Sequence, residues 1–310
     1  MIKNNLSILI PTFNRPEKLL NLVRKLLSLK VSIPIIISDN HSQIPVEQIL
    51  NDNQCLNKNI TVIRNKHNLG GGYNVFQCFL LCETNWMWII GDDDEPLDNS
   101  LDIIYSLDSS MNLENVFLLK FNSAAGFFDN NNLIIRGLHE FHSFNSNLNI
   151  FSNILFLSNS IFSIKKVKYV LNDSVHYMNS MLPQFSIVLN CLKNNNELLI
   201  IGEKYIVKHG KPNSVDHWSV IDLILSLSSL VYHHKTQIER KIISSIIASY
   251  REKQNFYLFF LRFPFYLEKT STEKWRIAYF DLSRNFRGMK TVYLLLLGLT
   301  IRFYYPLLKK

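Results

Sequence analysis

The stretch WMWIIGDDDEPLD, residues 86–98, joins five consecutive apolar residues to a glycine, three aspartates and a glutamate. A run so uniformly apolar reads as a strand buried on both faces, the mark of a parallel sheet covered on either side. Pro96 then takes the chain out of the ladder. Four adjacent carboxylates at a strand end repel one another, so the arrangement calls for a cation among them. In an extended segment, residues two apart point to the same side. Asp92 and Asp94 therefore reach one hard metal, with the oxygens of a diphosphate completing its shell. The plainer reading is a solvated acidic turn or a cluster at a helix N-terminus. It fits less well, because so apolar a strand rarely ends in three aspartates.

Outward from this stretch the pattern repeats. Leu6–Ile10, Ile33–Ser38, Ile60–Arg64 and Val116–Phe121 are further strand candidates, and Glu17–Leu29, Gly72–Cys82 and Ser100–Asp108 show helical periodicity between them. Strand, helix, strand repeated three times predicts an α/β fold with a mostly parallel sheet, whose ligands lie at the strand C-terminal ends. Phe127–Asn149 is Asn-rich and weakly periodic, which suggests loops or an irregular hairpin. Ile150–Leu157 and Pro183–Lys193 look helical, as does the chain from Val220 onward. No repeat of solenoid length is present.

The other strand ends hold weaker signals. In LSILIPTFNRPEKLL (residues 6–20), Pro11 ends the ladder and Thr12 offers a hydroxyl and an amide. Asn14 suits the cap of the following helix and Pro16 its first turn. In IPIIISDNHS (residues 33–42), Asp39 either accepts from a nucleotide base or ribose or caps a turn. VIRNKHNLGGGYN (residues 62–74) places Gly70, Gly71 and Gly72 where backbone can approach a phosphate at a helix start. It is neither the dinucleotide glycine pattern nor a P-loop.

Four of these segments, ILIPTFNRPEKL, IIISDNHS, NLGGGYN and WIIGDDDE, resemble family-2 glycosyltransferases in their order and separations. The likeness is to the O-antigen and lipopolysaccharide type, including abequosyltransferase-like enzymes with a Gly-Asp-Asp-Asp motif. It is firm over residues 1–110 and weaker over 150–225, where LSNSIFSIKKV and HGKPNSVDHWSV look like acceptor-side segments. The resemblance implies a GT-A, Rossmann-like nucleotide-sugar-binding domain over 1–225, with a donor half (1–125) and an acceptor half (126–225), followed by a helical region over 226–310. By the same likeness Pro11, Thr12, Asn14 and Asp39 hold the base and ribose. Asn65, Asn68, Gly70 and Gly72 lie near the nucleotide, Asp93 beside it, and Asp92 and Asp94 bind Mn2+ or Mg2+.

The implied reaction is a single inverting displacement by an acceptor hydroxyl on the anomeric carbon, with the nucleotide diphosphate leaving. A carboxylate or histidine must take the acceptor proton. Many family members carry an acidic pair at the start of an acceptor-side helix, where this chain reads MLPQFSIVL, and neither Pro183 nor Gln184 can act as a base. Asp173, His176, Asp216 and His217 are the remaining candidates. The Asp216–His217 pair is favoured because it follows the loop Gly210–Asn213. Two other readings compete. One is a catalytically degenerate, membrane-associated scaffold of the same fold. The other is a nucleotidyltransferase, which usually has a Gly-rich loop after its first strand, and PTFNRPEKL has no glycine.

Charge is unevenly placed along the 310 residues. From Leu230 to Lys310 there are 15 Lys and Arg against 5 Asp and Glu, while the preceding 229 residues hold 18 against 20. A nucleic-acid binder carries its basic stripe on the recognition fold, so that class is set aside. Here the basic residues interleave with aromatics, as in NFYLFFLRFPFYLEK and YLLLLGLTIRFYYPLLKK, which points to an anionic membrane surface. The apolar run Val292–Ile301 spans ten residues, half the length of a membrane-spanning helix. The opening apolar run after Lys3 is too short for a signal-peptide core. Cys55, Cys78, Cys82 and Cys191 show no paired framework. The expected location is cytoplasmic, peripheral on the inner face of the cytoplasmic membrane, with a lipid-linked glycan as acceptor.

The tail reading has a direct test. Each Lys or Arg near an anionic leaflet contributes about 1 kcal/mol, and buried apolar surface adds roughly 25 cal/mol per Å². The full chain is expected to sediment with anionic vesicles, less so in high salt, and a chain truncated before Thr270 to sediment less. Absence of sedimentation would place the aromatics in a protein core instead.

Overall fold

In the computed structural model, which describes residues 2–29, 32–123, 132–144, 153–178, 180–194, 196–208, 223, 226, 227, 230, 234 and 236–253, three strand–helix units open the chain. β1 (Leu6–Thr12) runs into α1 (Pro16–Ser28), β2 (Ile35–Asp39) into α2 (Val46–Asp52), and β3 (Ile60–Arg64) into α3 (Gly71–Leu81). β4 (Trp86–Ile89) then returns to the other side of β1. β2 pairs in parallel with β1 and β3, and β4 in parallel with β1. The chain continues through β5 (Glu95–Pro96), α4 (Ser100–Ser110), β6 (Val116–Asn122), β7 (Leu133–Arg136) and α5 (Gly137–Phe144). After these come β8 (Ser160–Ser163), α6 (Ile164–Val167), α7 (Leu171–Ser174), α8 (Pro183–Lys193), β9 (Glu197–Tyr205), β10 (Val207–Lys208) and α9 (Gln237–Lys253).

Among the described residues the main sheet has eight strands in the order β3-β2-β1-β4-β8-β6-β9-β7. β8 lies antiparallel to β4 and β6, β7 antiparallel to β9, and the other pairs are parallel. The mostly parallel α/β architecture matches the expectation. The alternation of faces follows the strand period. Ile8, Ile10, Ile35, Ile37, Trp88 and Ile90 share one cluster with Leu19, Leu22, Val23 and Leu26 of α1. On β8, Phe162 meets Phe79 of α3 edge-to-face, with ring centroids 5.0 Å apart.

Three features depart from the sequence reading. α2 went unmarked because it is one short stretch after Pro45, with only Val46, Ile49 and Leu50 buried. Within Phe127–Asn149, read as loops or an irregular hairpin, lie β7 and α5. β7 is an edge strand with Leu133 and Ile134 exposed and only Ile135 buried, so no alternation marks it. Of the region from Val220 onward, only α9 and scattered residues are described. The four cysteines are buried and free, as packed thiols should be. Burial pushes the Cys78 and Cys191 thiols up.

The chain divides into two units, Met1–His217 with His234–Ile242, and Trp218–His233 with Ile243–Lys310. The sheet belongs to the first. In the second, Leu223, Leu227 and Leu230 are buried, and so are Ile243, Ile246 and Ile247, which recur at helical spacing on α9. No helix among the described residues is long and apolar enough to cross a membrane. The basic, aromatic tail beyond residue 253 lies outside the described residues.

Lys120, in the middle of β6, is 0% exposed. Its Nζ donates to the Phe156 carbonyl and, at 2.7 Å, to Ser160 Oγ, fastening the segment before β8 to β6. Burial drives its pKa well below the ordinary 10.5, because a charged ammonium loses its hydration there. The unfolded chain then binds more protons than the native one between the lowered value and 10.5. This residue's contribution to stability therefore rises with pH across that window. The melting temperature of the wild type should thus gain on that of Lys120→Met as the pH rises toward the ordinary lysine value. A constant difference would show that the amine titrates as an exposed lysine does.

Candidate active site

In a parallel sheet, strand C-terminal ends collect at one edge, and ligands sit where the strand order reverses. Here the reversal lies between β1 and β4. The register pairs Leu9 with Ile89, so three residues further on Thr12 stands abreast of Asp92. Thr12 Oγ1 donates to Asp92 Oδ2 at 2.7 Å. On the other side of β1, Thr12 is level with Asp39, and Asp39 with Arg64.

The acidic run is held by cations from the chain itself. Arg15, just before α1, donates to Asp92 Oδ1 at 2.9 Å and lies 3.4 Å from Asp93 Oδ2. Lys18 is 3.7 Å from the same Asp93 oxygen. Seven residues along the same helix face, Lys25 is 3.8 Å from Glu95 and 2.5 Å from Asp98. Part of the charge that these carboxylates crowd together is thus met by Arg15 and by Lys18 and Lys25 of α1. Asp92 is 4% exposed. Burial raises its pKa, and Arg15 and Thr12 partly offset this.

Asp94 is held from another direction. Ser158 Oγ donates to Asp94 Oδ2 at 2.5 Å and accepts from the Gly91 N–H at 2.8 Å. Gly91 is the point on which the run turns back. A Cβ there would stand 3.1 Å from Asp94 Oδ2 and 3.3 Å from Asp93 Oδ1. These hard carboxylate oxygens suit Mn2+ or Mg2+. Among the described residues no three His, Cys, Asp or Glu side chains form a closed metal cage. The arrangement fits an ion held in part by the oxygens of a ligand.

Beside this corner lies a cleft of about 250 Å³ between the β1–α1 and β2–α2 connections. Thr12, Asn14, Arg15, Ser42 and Gln43 give it a polar side, and Leu19, Ile44, Val46 and Ile49 an apolar one. Thr12 and Arg15 therefore face both the cleft and the acidic run. Arg15 and Ser158 were not singled out from the sequence. The pairing of β1 with β4 is what brings the start of α1 to the acidic run, and Ser158 lay within LSNSIFSIKKV, a segment quoted only for its acceptor-side likeness.

Several expected residues are placed differently from their reading. Asn14 does not cap α1, whose N-cap is Arg15 without a side-chain bond. With φ at 54°, Asn14 accepts from the Gln43 N–H at 2.7 Å and donates its own N–H to Ser42 Oγ, clasping the two cleft loops together. Asp39 is 0% exposed and caps the turn that follows β2. Its Oδ1 accepts from the Ser42 N–H at 2.8 Å and its Oδ2 from Arg64 at 2.5 Å. Gly72 lies against the chain's own backbone. A Cβ there would lie 1.8 Å from the Ser180 carbonyl oxygen. Gly70, at φ +91°, and Gly71 have nothing within 4 Å of that position, so the open side of the glycine loop is theirs.

Asn65 and Asn68 are drawn together by Asn40, which donates to Asn68 and accepts from Asn65. Pro11 sits in β1 opposite Ser38. Asp173 and His176 are exposed on the short turns between β8 and α8, which are anchored by a bond of 3.0 Å from Asn190 to Ser174. Asp216 and His217 lie outside the described residues. Gln184 is buried in the first turn of α8 and donates to the Leu155 carbonyl.

Residues 7–157 match the model of Glycosyl transferase family 2. Abequosyltransferase RfbV of Salmonella typhimurium is 35% identical over 114 residues, 35% of this chain and 34% of that protein. The match thus spans about a third of the curated relative's length. Among solved structures, S. aureus TarS 1–349 in complex with UDP-GlcNAc is similar, with a TM-score of 0.60 and 15% identity over 90% of this chain and 80% of that one. Mannosyltransferase PcManGT from Pyrobaculum calidifontis, in complex with GDP-Man and Mn2+, has a TM-score of 0.55 and 10% identity over 97% of this chain and 81% of that one. At these identities the structural likeness speaks to the fold alone, a GT-A glycosyltransferase fold.

The buried Asp39 predicts a stability effect. Asp39→Ala strands the N–H groups of Ser42 and Val46 and leaves Arg64 only its bond to the Ser42 carbonyl, which costs about 1–3 kcal/mol. A lowered melting temperature is expected, together with loosening of the β2–α2 turn by hydrogen exchange. An unchanged melting temperature with lost nucleotide affinity would support the direct-contact reading.

Proposed function

We propose, of a chain whose residues 7–157 are a family-2 glycosyltransferase domain, that it transfers a sugar from a nucleoside diphosphate sugar to a hydroxyl of a glycan acceptor. The transfer would invert the anomeric centre, require a divalent metal, and serve surface polysaccharide synthesis. The observation that supports this most is the Thr12–Asp92 bond across the point where the strand order reverses, flanked by the cleft and by Asp94. The names of the relatives agree with it. One is an abequosyltransferase, one was solved with UDP-GlcNAc, and one with GDP-Man and Mn2+.

In this reading the cleft takes the base and ribose. Its apolar side covers the base, while Thr12, Asn14 and Gln43 offer hydrogen bonds. Arg15 reaches from the cleft to Asp92 and is placed to meet the diphosphate, so donor binding and acidic run share one cation. Asp94, with Asp93 beside it, would hold the metal. Asp92, whose two oxygens are engaged by Thr12 and Arg15, serves more as a wall than as a ligand. When bound, Mn2+ or Mg2+ offsets the charge that develops on the departing diphosphate. Gly70 and Gly71 form the open side of the loop near the donor.

The acceptor oxygen bonds to the anomeric carbon as the bond to the diphosphate oxygen breaks, and the acceptor proton passes to a base. Asp216 and His217 remain the assignment for that base, since Asp173 and His176 sit on exposed turns. A lipid-linked acceptor and peripheral membrane attachment follow from the basic, aromatic tail rather than from the folded site.

Asp94→Asn tests the reading, because it keeps the side chain's size and removes a carboxylate ligand. Transfer from the accepted nucleotide sugar at saturating Mn2+ is expected to fall about 10²–10³-fold. The melting temperature should hold or rise as like-charge repulsion is relieved. Turnover near that of the wild type would remove Asp94 from the metal site.

A further inference from the structure

Ser158 is 0% exposed and lies outside the loops that line the cleft. Its hydroxyl has a defined polarity. Oγ accepts from the Gly91 N–H at 2.8 Å, so its own proton is directed to Asp94 Oδ2, 2.5 Å away. Its backbone is fixed as firmly. The Ser158 carbonyl accepts from Trp88 Nε1 at 2.8 Å, on the strand that delivers the acidic run. On one side, Asn159 donates to the Phe121 carbonyl and to Asn153. On the other, Lys120 ties down Phe156 and Ser160. A hydroxyl on a segment held by β4 and β6 thus grips one oxygen of a carboxylate on a turn.

We infer that Ser158 is a positioning residue that sets the orientation of the Asp94 carboxylate for a divalent cation. The inference rests on the metal-dependent reading above. With Oδ2 held by Ser158 and the turn held through Gly91, the carboxylate plane is fixed before the ion and diphosphate arrive. Only the Asp94 end of the run receives this bond, whereas Asp92 is oriented by Thr12 at the end of β1 and by Arg15 at the start of α1. The two ends of the acidic run are therefore set independently, one from the donor half and one from the segment that leads into β8.

The test is titration of MnCl2 into the full chain with saturating UDP, GDP, CDP or dTDP, using whichever diphosphate most raises the wild-type melting temperature. Removing a group that orients a metal ligand typically costs about 10–100-fold in metal affinity. Ser158→Ala is expected to weaken Mn2+ binding by about that factor, while the affinity for the diphosphate in EDTA stays unchanged. Ser158→Cys, with similar volume and a weaker donor, should fall between the two. Ser7→Ala, which deletes a buried hydroxyl at the opposite end of β1, controls for stability and should bind Mn2+ as the wild type does. Equal Mn2+ affinity in the wild type and both Ser158 variants would overturn the positioning role and leave the metal-dependent reading standing. A parallel loss in Ser7→Ala would overturn it as well, by showing that general destabilisation suffices. A wild type that binds the diphosphate with no response to Mn2+ would overturn the metal reading and this inference together.

Discussion

Parallel strands cannot be joined by a tight turn, so neighbouring ends in such a sheet always come from distant parts of the chain. The pairing of β1 with β4 is the constraint from which the site follows. It brings Thr12 to Asp92 across 80 positions of sequence and sets the start of α1 against the acidic run. Asp39 and Arg64 meet because β2 and β3 continue the same register outward. Had β4 paired one residue out of step, every side chain on that strand would have changed face. Trp88 and Ile90 would then have left the cluster they share with α1.

The same constraint explains how an unfavourable charge density is tolerated. Carboxylates crowded at a strand end are costly alone, and the chain meets them with Arg15, Lys18 and Lys25 on one side of α1. The exposed pair between Lys25 and Asp98 contributes little, being screened by water. The bond between Arg15 and Asp92 matters more, because Asp92 is nearly closed to solvent. The acidic run is therefore ordered around a protein cation, and a ligand entering there meets a site whose charges are already partly paired.

Much of this was legible in the sequence, for physical reasons that can be named. Strands buried on both faces leave unbroken apolar runs, so β1, β2, β4 and β6 could be placed to within a few residues, and β3, an edge strand with Thr61 and Arg64 exposed, was marked by its β-branched residues. β7 left no such run because it closes the sheet with exposed residues, and α2 because two turns of helix after a proline give too short a period. The carboxylates Asp92 and Asp94 announced themselves by type and crowding. Their partners did not. Arg15 was in view as part of PTFNRPEKL, but its role depends on a strand pairing. Ser158 sits in LSNSIFSIKKV, which was in view as an acceptor-side segment and not as a neighbour of the acidic run. Asp39 and Gly72 show the converse. Each has a residue type that suits a nucleotide or phosphate, and each also has a role in the fold that no local pattern shows, one in a turn and one in a backbone approach.

The placement of β6 has a consequence for recombination. Its ladder partners are β8 and β9, and both follow residue 157, where the family match ends. β4 likewise pairs on one side with β8. A chain cut at that point would leave β6 with no neighbour and β4 with an open row of amides and carbonyls, the kind of edge on which chains aggregate. The recognisable half is therefore not a foldable half. A chimera that exchanges donor preference between relatives would have to cross over beyond β9, carrying the segment around Ser158 along with the acidic run.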